Sequence, residues 1–280
     1  MLMSKIKIKA PAKINIGLNI IEKRNDGYHN LKTFFYPIKD LFDGIEIIKS
    51  THFKFTCENN SELNTNNIVL SAITELQNFT NRNFNVEIEL TKNIPIGAGL
   101  GGGSSDAAAV LVSLNEMFKL KLNLTELTNI AIKIGADVPF FLKAKPAIGK
   151  QKGELLENKN LLIEKYILLI NPGIHISTKD AYSRITPQDK KLNFSEIEKI
   201  DISEYKNLFT NDFEQPIFSL YPEIENIKNE MYKNKALFAL MSGSGSSVFG
   251  IFNSEEDAQQ TIKKLPKNYF SFISDYKNYF

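Results

Sequence analysis

The stretch "IPIGAGLGGGSSDAAAVL" runs from Ile94 to Leu111 and puts five glycines into the seven residues Gly97 to Gly103 before passing into alanine and leucine. Glycine loses the most backbone freedom on folding, so a cluster of it at the start of a helix needs a physical reason. Bare backbone N–H groups at a strand-to-helix junction can approach a ligand closely, and the following helix adds the positive end of its dipole. Together they hold phosphate. Gly99, Gly101, Gly102 and Gly103 would form the cradle, with Ser104, Ser105 and Asp106 at the cap and first turn of a helix expected over Ser105–Phe118.

Two common phosphate patterns fail here. Gly97, Gly99 and Gly102 satisfy G-x-G-x-x-G, but no strand–helix–strand unit with a distal acidic residue follows, as a dinucleotide site needs. No Lys-Ser or Lys-Thr pair follows the glycines, as a P-loop needs. A flexible linker is the bland alternative, yet linkers do not usually abut so well formed a helix.

The flanking sequence alternates in the manner of strands. Asn85–Pro95 delivers the chain to the glycines, and Lys5–Ile20 sets Ile6, Ile8, Ala10, Ala12, Ile14, Ile16, Leu18 and Ile20 on one face. Pro11 implies a bend or bulge. Lys13 and Asn15 fall on the opposite face, where a solvated lysine is the plain reading; an Asn inside a strand is disfavoured by propensity and hints that this face has a task. Asp26-Gly27 marks a turn into a second strand near Tyr28–Pro37, with further short strands in "GIEIIKS" and "HFKFTCE". Helical spacing covers Asn67–Phe79 and Leu124–Ile134, the latter closed by Gly135.

Lys145–Asn160 reads as an exposed connection or hairpin near a domain boundary. Beyond it come a strand in "YILLINP", a capped helix start in "STKDAYSRI", a helix in "LYPEIENIKNEMYKN", two strands around a serine-glycine loop in "ALFALMSGSGSSVFGIF", a helix in "SEEDAQQTIKKL" and a strand in "YFSFISDY". This mixed order predicts an α+β fold, and 280 residues suit two domains, expected at 1–158 and 159–280.

Composition bounds the partners. Net charge is +2 from 34 basic and 32 acidic residues, interspersed, so no basic stripe points to nucleic acid. Cys57 is alone and the three histidines, His29, His52 and His175, are scattered, which argues against a disulfide or a dedicated metal cluster. With no signal-like or membrane-length apolar run, a cytoplasmic protein with a small-molecule partner is expected.

Three segments then point to a family. "PAKINIGLNI" (Pro11 to Ile20), "PIGAGLGGGSSDAAA" from Pro95 and "SGSGSSVFG" (Ser242 to Gly250) resemble, in order, the three motifs of the GHMP small-molecule kinases. "RNDGYHNLKTFF" (Arg24 to Phe35) and "GADVPFFL" (Gly135 to Leu142) resemble the branch acting on a cytidylated methylerythritol. The resemblance implies a two-domain fold, with an N-terminal half like that of a ribosomal protein domain and a ferredoxin-like C-terminal half, and an active site in the interdomain cleft. It implies ATP-dependent phosphorylation of the 2-hydroxyl of 4-diphosphocytidyl-2-C-methyl-D-erythritol, in the non-mevalonate route to isoprenoid precursors.

By the same resemblance Lys13 and Asp137 are catalytic. ATP falls to Pro95, Gly97, Gly99, Leu100, Gly101, Gly102, Gly103, Ser104 and Ser105, and the substrate to Asn15, Tyr28, His29, Thr178, Tyr182, Gly243 and Ser244. Tyr28 and His29 would contact the cytosine, with Tyr182 as the opposite face. Mg2+ is expected with ATP and needs no dedicated cage. Taken alone, Asp137 reads equally as a helix cap before Pro139, Gly243–Ser246 as a hairpin loop, and Asn66, Asn67 and Lys92, the candidates for adenine, as surface residues. A monomer or homodimer is expected. Another kinase of the family, acting on homoserine or a mevalonate derivative, and a non-catalytic nucleotide-binding module are the alternatives.

Overall fold

The structure is a computed structural model that describes residues 5–279. In chain order its elements are β1 (Lys5–Lys23), β2 (His29–Lys49), β3 (Lys54–Cys57), α1 (Ile68–Thr80), β4 (Val86–Thr91), α2 (Gly102–Met117), α3 (Leu124–Ile134), α4 (Val138–Phe141), β5 (Ala147–Gln151) and β6 (Leu155–Asn158). There follow β7 (Tyr166–Asn171), α5 (Thr178–Ser183), α6 (Tyr205–Leu208), α7 (Glu214–Leu220), α8 (Pro222–Lys233), β8 (Phe238–Met241), β9 (Val248–Phe252), α9 (Glu255–Lys264) and β10 (Phe270–Asp275). The expected mixture of strands and helices is present, and the Lys145–Asn160 segment is the β5–β6 hairpin.

The chain forms two compact units. The first holds the chain through Ala12, Leu41–Ile96 and Gly101–Ala144; the second holds Lys13–Asp40, Gly97–Leu100 and everything from Lys145 onward. In the first unit the C-terminal half of β2 pairs antiparallel with β4, from Gly44 opposite Thr91 to Lys49 opposite Val86, and β3 lies parallel to β4. Helix α1 buries Val69, Ala72, Ile73 and Leu76, the one-sided spacing seen in the sequence, and packs on α2. Helix α2 buries every residue from Ser105 to Leu111 together with Ser113, Leu114 and Met117. An apolar helix with no wet face belongs inside the unit. Asn123 and Glu126 close a reciprocal capping box at the start of α3.

Helix α2 starts at Gly102, three residues before the sequence expectation. Gly101 takes a left-handed backbone at φ 72° as the N-cap, and a Cβ on Gly102 would come within 3.2 Å of Ile94 and Asp43. Two of the glycines are therefore helical residues kept small by their neighbours, and only those before them form the loop.

In the second unit an antiparallel sheet runs β10-β7-β9-β8, with α8 and α9 packed against it. Leu168, Ile170, Ile224, Ile227, Met231, Val248 and Phe252 share its core. The N-terminal half of β2 pairs with β5, Leu31 opposite Gln151 through Phe35 opposite Ala147.

Strand β1 departs from its expectation in one respect. Lys5 to Lys9 alternates as a one-faced strand should, but from Ala10 to Ile20 only Pro11 is not fully buried, so the face bearing Lys13 and Asn15 is also covered. The strand continues through Pro11 without a break, and β2 runs uninterrupted where two shorter strands were expected.

Because Leu114 is fully buried in α2, Leu114→Ala is expected to lower unfolding free energy by about 2–5 kcal/mol, measured by urea denaturation.

Candidate active site

In the second unit the three glycine-bearing motifs meet. Lys13 of β1 is 3% exposed, and its Nζ donates to Asn15 Oδ1 (2.5 Å) and to the carbonyl of Gly99 (3.0 Å). An ammonium taken out of water requires such oxygen partners. Its backbone N–H donates to Leu100 O at 2.9 Å, so the loop is bound to the strand by main chain as well. Asn15 uses its other end too, donating from Nδ2 to Thr33 Oγ1 (2.9 Å), which in turn donates to Gly17 O (2.6 Å). The plain reading of Lys13 as a solvated lysine is thus corrected: its face is buried by the loop and by Phe35, whose ring centroid lies 5.6 Å from Nζ.

The serine-glycine loop between β8 and β9 closes on the same place. Ser242 Oγ donates to Gly99 O (2.9 Å) and accepts from Asn15 N (3.2 Å), while Ser247 N donates to Ala98 O (3.2 Å). A Cβ on Gly99 would lie 2.1 Å from the carbonyl oxygen of Ser242, and its backbone sits at φ 76°, so no other residue fits. Asn211 holds this loop from outside, donating from Nδ2 to Met241 O and Gly243 O, each at 2.8 Å. Thr178 Oγ1 lies 3.5 Å from Ser244 Oγ, bringing α5 to the loop's tip. Thr33 and Ser242 lie within the motifs quoted above but were given no role of their own, and Asn211 was not singled out. Asn211 sits in a stretch without periodicity, and only the burial of its strand marks Thr33.

Tyr28, His29 and Tyr182 are also in this unit. His29 stacks on Tyr182, with ring centroids 4.8 Å apart and planes 23° from parallel, and Phe213 meets the Tyr182 ring edge-on. Tyr28 is exposed, with Lys152 Nζ 4.8 Å from its ring centroid. Burial, and secondarily the Lys23 charge, lower the His29 pKa. The imidazole is consequently neutral at neutral pH, with one nitrogen to donate and one to accept.

In the first unit the amides at the N-terminus of α2 that precede its first internal bond, Ser105 N to Gly101 O at 2.9 Å, have no partner within the helix. Just inside lies a buried charge cluster. Lys92 Nζ donates to Asp43 Oδ2 and to Asp106 Oδ2, the latter at 2.7 Å, and Asp43 Oδ1 accepts from Asn93 N (2.6 Å) and Ile94 N (2.9 Å). Burial opposes the Lys92 charge, but the two carboxylates outweigh it and raise its pKa. Burial, and then the charge of Asp43, push Asp106 up to about 8 against the pull of Lys92. Lys92 is therefore committed internally and is no surface residue. Asn67, another adenine candidate, caps α1 by accepting from Val69 N.

Asp137 stands at the N-cap position of α4 but accepts no capping hydrogen bond, and its φ and ψ of −86° and −14° are helical. The cap reading fails on that geometry. No group of three or more His, Cys, Asp or Glu side chains suited to a metal ion occurs among the described residues. Among them also, no helix is long and apolar enough to cross a membrane.

Family models described as "GHMP kinases N terminal domain" and "GHMP kinases C terminal" match residues 67–145 and 193–271. The chain belongs to the GHMP kinases. Within that family it is 46% identical to a 4-diphosphocytidyl-2-C-methyl-D-erythritol kinase of Bacteroides fragilis, over 88% of this chain and 91% of the relative. A kinase of the same name from Cytophaga hutchinsonii is 43% identical, over 88% of this chain and 92% of the relative. The crystal structure of a 4-(cytidine 5'-diphospho)-2C-methyl-D-erythritol kinase superimposes with a TM-score of 0.82 at 31% identity, covering 96% of this chain and 98% of that one. Homoserine kinase from Cytophaga hutchinsonii, at 20% identity and a TM-score of 0.74, shares the fold.

Gly99→Ala is expected to distort the loop, abolish activity and lower the melting temperature by several degrees. Gly27→Ala is the control: it also has positive φ, but a Cβ there meets nothing within 4 Å. Thermal melts of the two variants make the comparison.

Proposed function

We propose that the protein is an ATP-dependent kinase that transfers the γ-phosphate of ATP to the 2-hydroxyl of 4-diphosphocytidyl-2-C-methyl-D-erythritol, a step in isoprenoid precursor synthesis. The observation that carries the reaction is the placement of Lys13, a buried ammonium aimed by Asn15 and the Gly99 carbonyl at the point where the three motifs meet. The substrate is supported by the relatives, which carry that activity in their names at 43–46% identity over most of the chain. The loop and first helical turn from Pro95 through Ser105, with the positive end of α2, hold the triphosphate.

In the reaction the substrate oxygen forms a bond to the γ-phosphorus as the bond to the β-phosphate oxygen breaks, releasing ADP. Asp137 takes the hydroxyl proton, and the Lys13 ammonium polarises the same oxygen and offsets the developing charge. Asn15 acts through Lys13, fixing its head. Mg2+ brought by ATP would offset phosphate charge without a dedicated protein cage, which suits a chain whose Asp106 is spent on Lys92.

At the base end, cytosine stacks on Tyr28 and hydrogen-bonds to the neutral His29, with Tyr182 behind. The observed contact between His29 and Tyr182 is too close to admit a base between them, so His29 serves the base edge. Thr178, Gly243 and Ser244 complete the substrate side. A homoserine or mevalonate kinase would have no use for an exposed aromatic ring beside a neutral imidazole.

Mixing the protein with ATP, Mg2+ and the cytidylated substrate is expected to release ADP, with homoserine and mevalonate inert; turnover of either of those instead rejects the assignment. Lys13→Met and Asp137→Asn should each lower kcat by about 10² or more with unchanged circular dichroism. Tyr28→Ala should raise the KM for the cytidylated substrate by about tenfold, the value of one lost base stack, and leave the KM for ATP in place.

A further inference from the structure

The cluster of Asp43, Lys92 and Asp106 places two carboxylates on one ammonium inside the first unit, with little exposure to water to relieve the excess charge: Lys92 is 8% exposed along its side chain, Asp43 0% and Asp106 2%. With both acids ionised the cluster would be a buried net anion. The structure distinguishes the two. Asp43 Oδ1 accepts two backbone N–H groups and its Oδ2 accepts from Lys92, so its charge is fully met. Among the described residues Asp106 Oδ2 accepts from Lys92, Oδ1 is buried with no hydrogen-bond partner, and the carboxyl also lies within hydrogen-bonding reach of Asp43. The proton belongs on Asp106, donated toward Asp43, as in any pair of carboxyls that cannot both ionise.

The position gives this proton a consequence. Asp106 is the fifth residue of α2, and Gly102, its first, packs directly on Asp43 Oδ2 and Ile94. The cluster thus ties the end of β4, which leads into the glycine loop, to the opening turn of the helix that follows it. A negative charge at Asp106 would lie beneath the amides of that turn and cancel part of their positive end. We propose that Asp106 is a positioning residue that acts as a neutral acid, bracing the N-terminus of α2 through Lys92 and Asp43 while leaving its positive end undiminished for a polyphosphate. This rests on the reading of that turn as the nucleotide site.

The ionisable groups facing Asp106 are Lys92 at the end of β4, Asp43 in β2 and the buried Cys57 thiol of β3. On the helices packed against α2, Glu75 of α1 and Lys133 of α3 pair with one another at 3.8 Å. Against the pull of Lys92, burial and the charge of Asp43 raise the pKa of Asp106. Its folded-state pKa is raised, so the folded chain holds a proton that the unfolded chain has released above its own value, about 3.9. Its contribution to stability falls as pH rises from there through about 8.

Asp106→Asn is the discriminating variant, because an amide reproduces the neutral acid, accepting from Lys92 and donating to Asp43, and cannot ionise. ATP binding measured by calorimetry is expected to weaken in the wild type by about tenfold between pH 7 and pH 9.5 and in Asp106→Asn by less than about twofold, since one added charge beneath the phosphates is worth roughly a factor of ten. The melting temperature of the variant should exceed that of the wild type by a margin that widens over the same range. Equal pH ratios for ATP binding in the two proteins would overturn the proposal. A second measurement needs no variant: carbon-13 NMR of the aspartate carboxyls in the unliganded wild type should show one that titrates well above the ordinary range. Spectra in which every aspartate is already ionised at pH 6 would overturn the proposal as well. Absence of ATP binding at both pH values overturns the nucleotide-site reading and the coupling with it. The carboxyl titration, which involves no nucleotide, tells that failure from a misassigned proton.

Discussion

A lysine ammonium withdrawn from water must be given oxygen ligands, and that requirement organises this chain on both sides of its glycine loop. Lys92, just before the loop, draws in Asp43 and Asp106; Lys13, bonded through its amide to the loop's Leu100, draws in Asn15 and the Gly99 carbonyl. Leaving either ammonium unpaired would cost several kcal/mol, so the groups around each are fixed in place by the charge they serve. The two lysines differ in what remains for chemistry. Lys92 meets two carboxylates and is spent on structure, whereas Lys13 is held by a side-chain amide and a main-chain carbonyl of the loop itself.

The same contrast explains why so many glycines are needed. The loop has to be close enough for its carbonyls to serve as ligands, and close approach excludes side chains. Gly99 gives its carbonyl oxygen to both Lys13 and Ser242 Oγ, with its own α-carbon hard against the Ser242 carbonyl. Gly102 yields its space to Asp43, the partner of Lys92. A phosphate cradle explains the amides of this stretch; the buried lysines explain its lack of side chains.

Much of this was legible in the sequence. Alternation found β1 and β4, helical spacing found α1, α2 and α3 to within a few residues, and the three glycine motifs gave the family. The covered second face of β1 was not legible. Alternation reports one buried face and is silent on what lies over the other. The cover comes partly from the aperiodic segment around Phe194 and Phe209, whose atoms lie within 3.3 Å of where a Cβ on Gly17 would be. Asn211 and Phe213 belong to the same segment and were missed for the same reason. Asp137 shows the opposite error, since its place before Val138-Pro139 imitates a cap and only the geometry shows the carboxylate is not used as one.

The charge cluster illustrates a wider limit on reading sites from sequence. Asp43, Lys92 and Asp106 lie 49 and 14 residues apart along the chain, in elements whose patterns give no sign of a shared interior. Each alone reads as an ordinary polar residue at the edge of a strand or helix. Once together they form a group whose charge differs from the sum of three free side chains, because a third charge without a counter-ion is costly at that depth. Composition counts Asp106 as an anion in the net charge of +2, and folding turns it into a neutral hydrogen-bond donor beneath the opening turn of α2. The electrostatics of an anion site thus depend on protonation states that the fold creates.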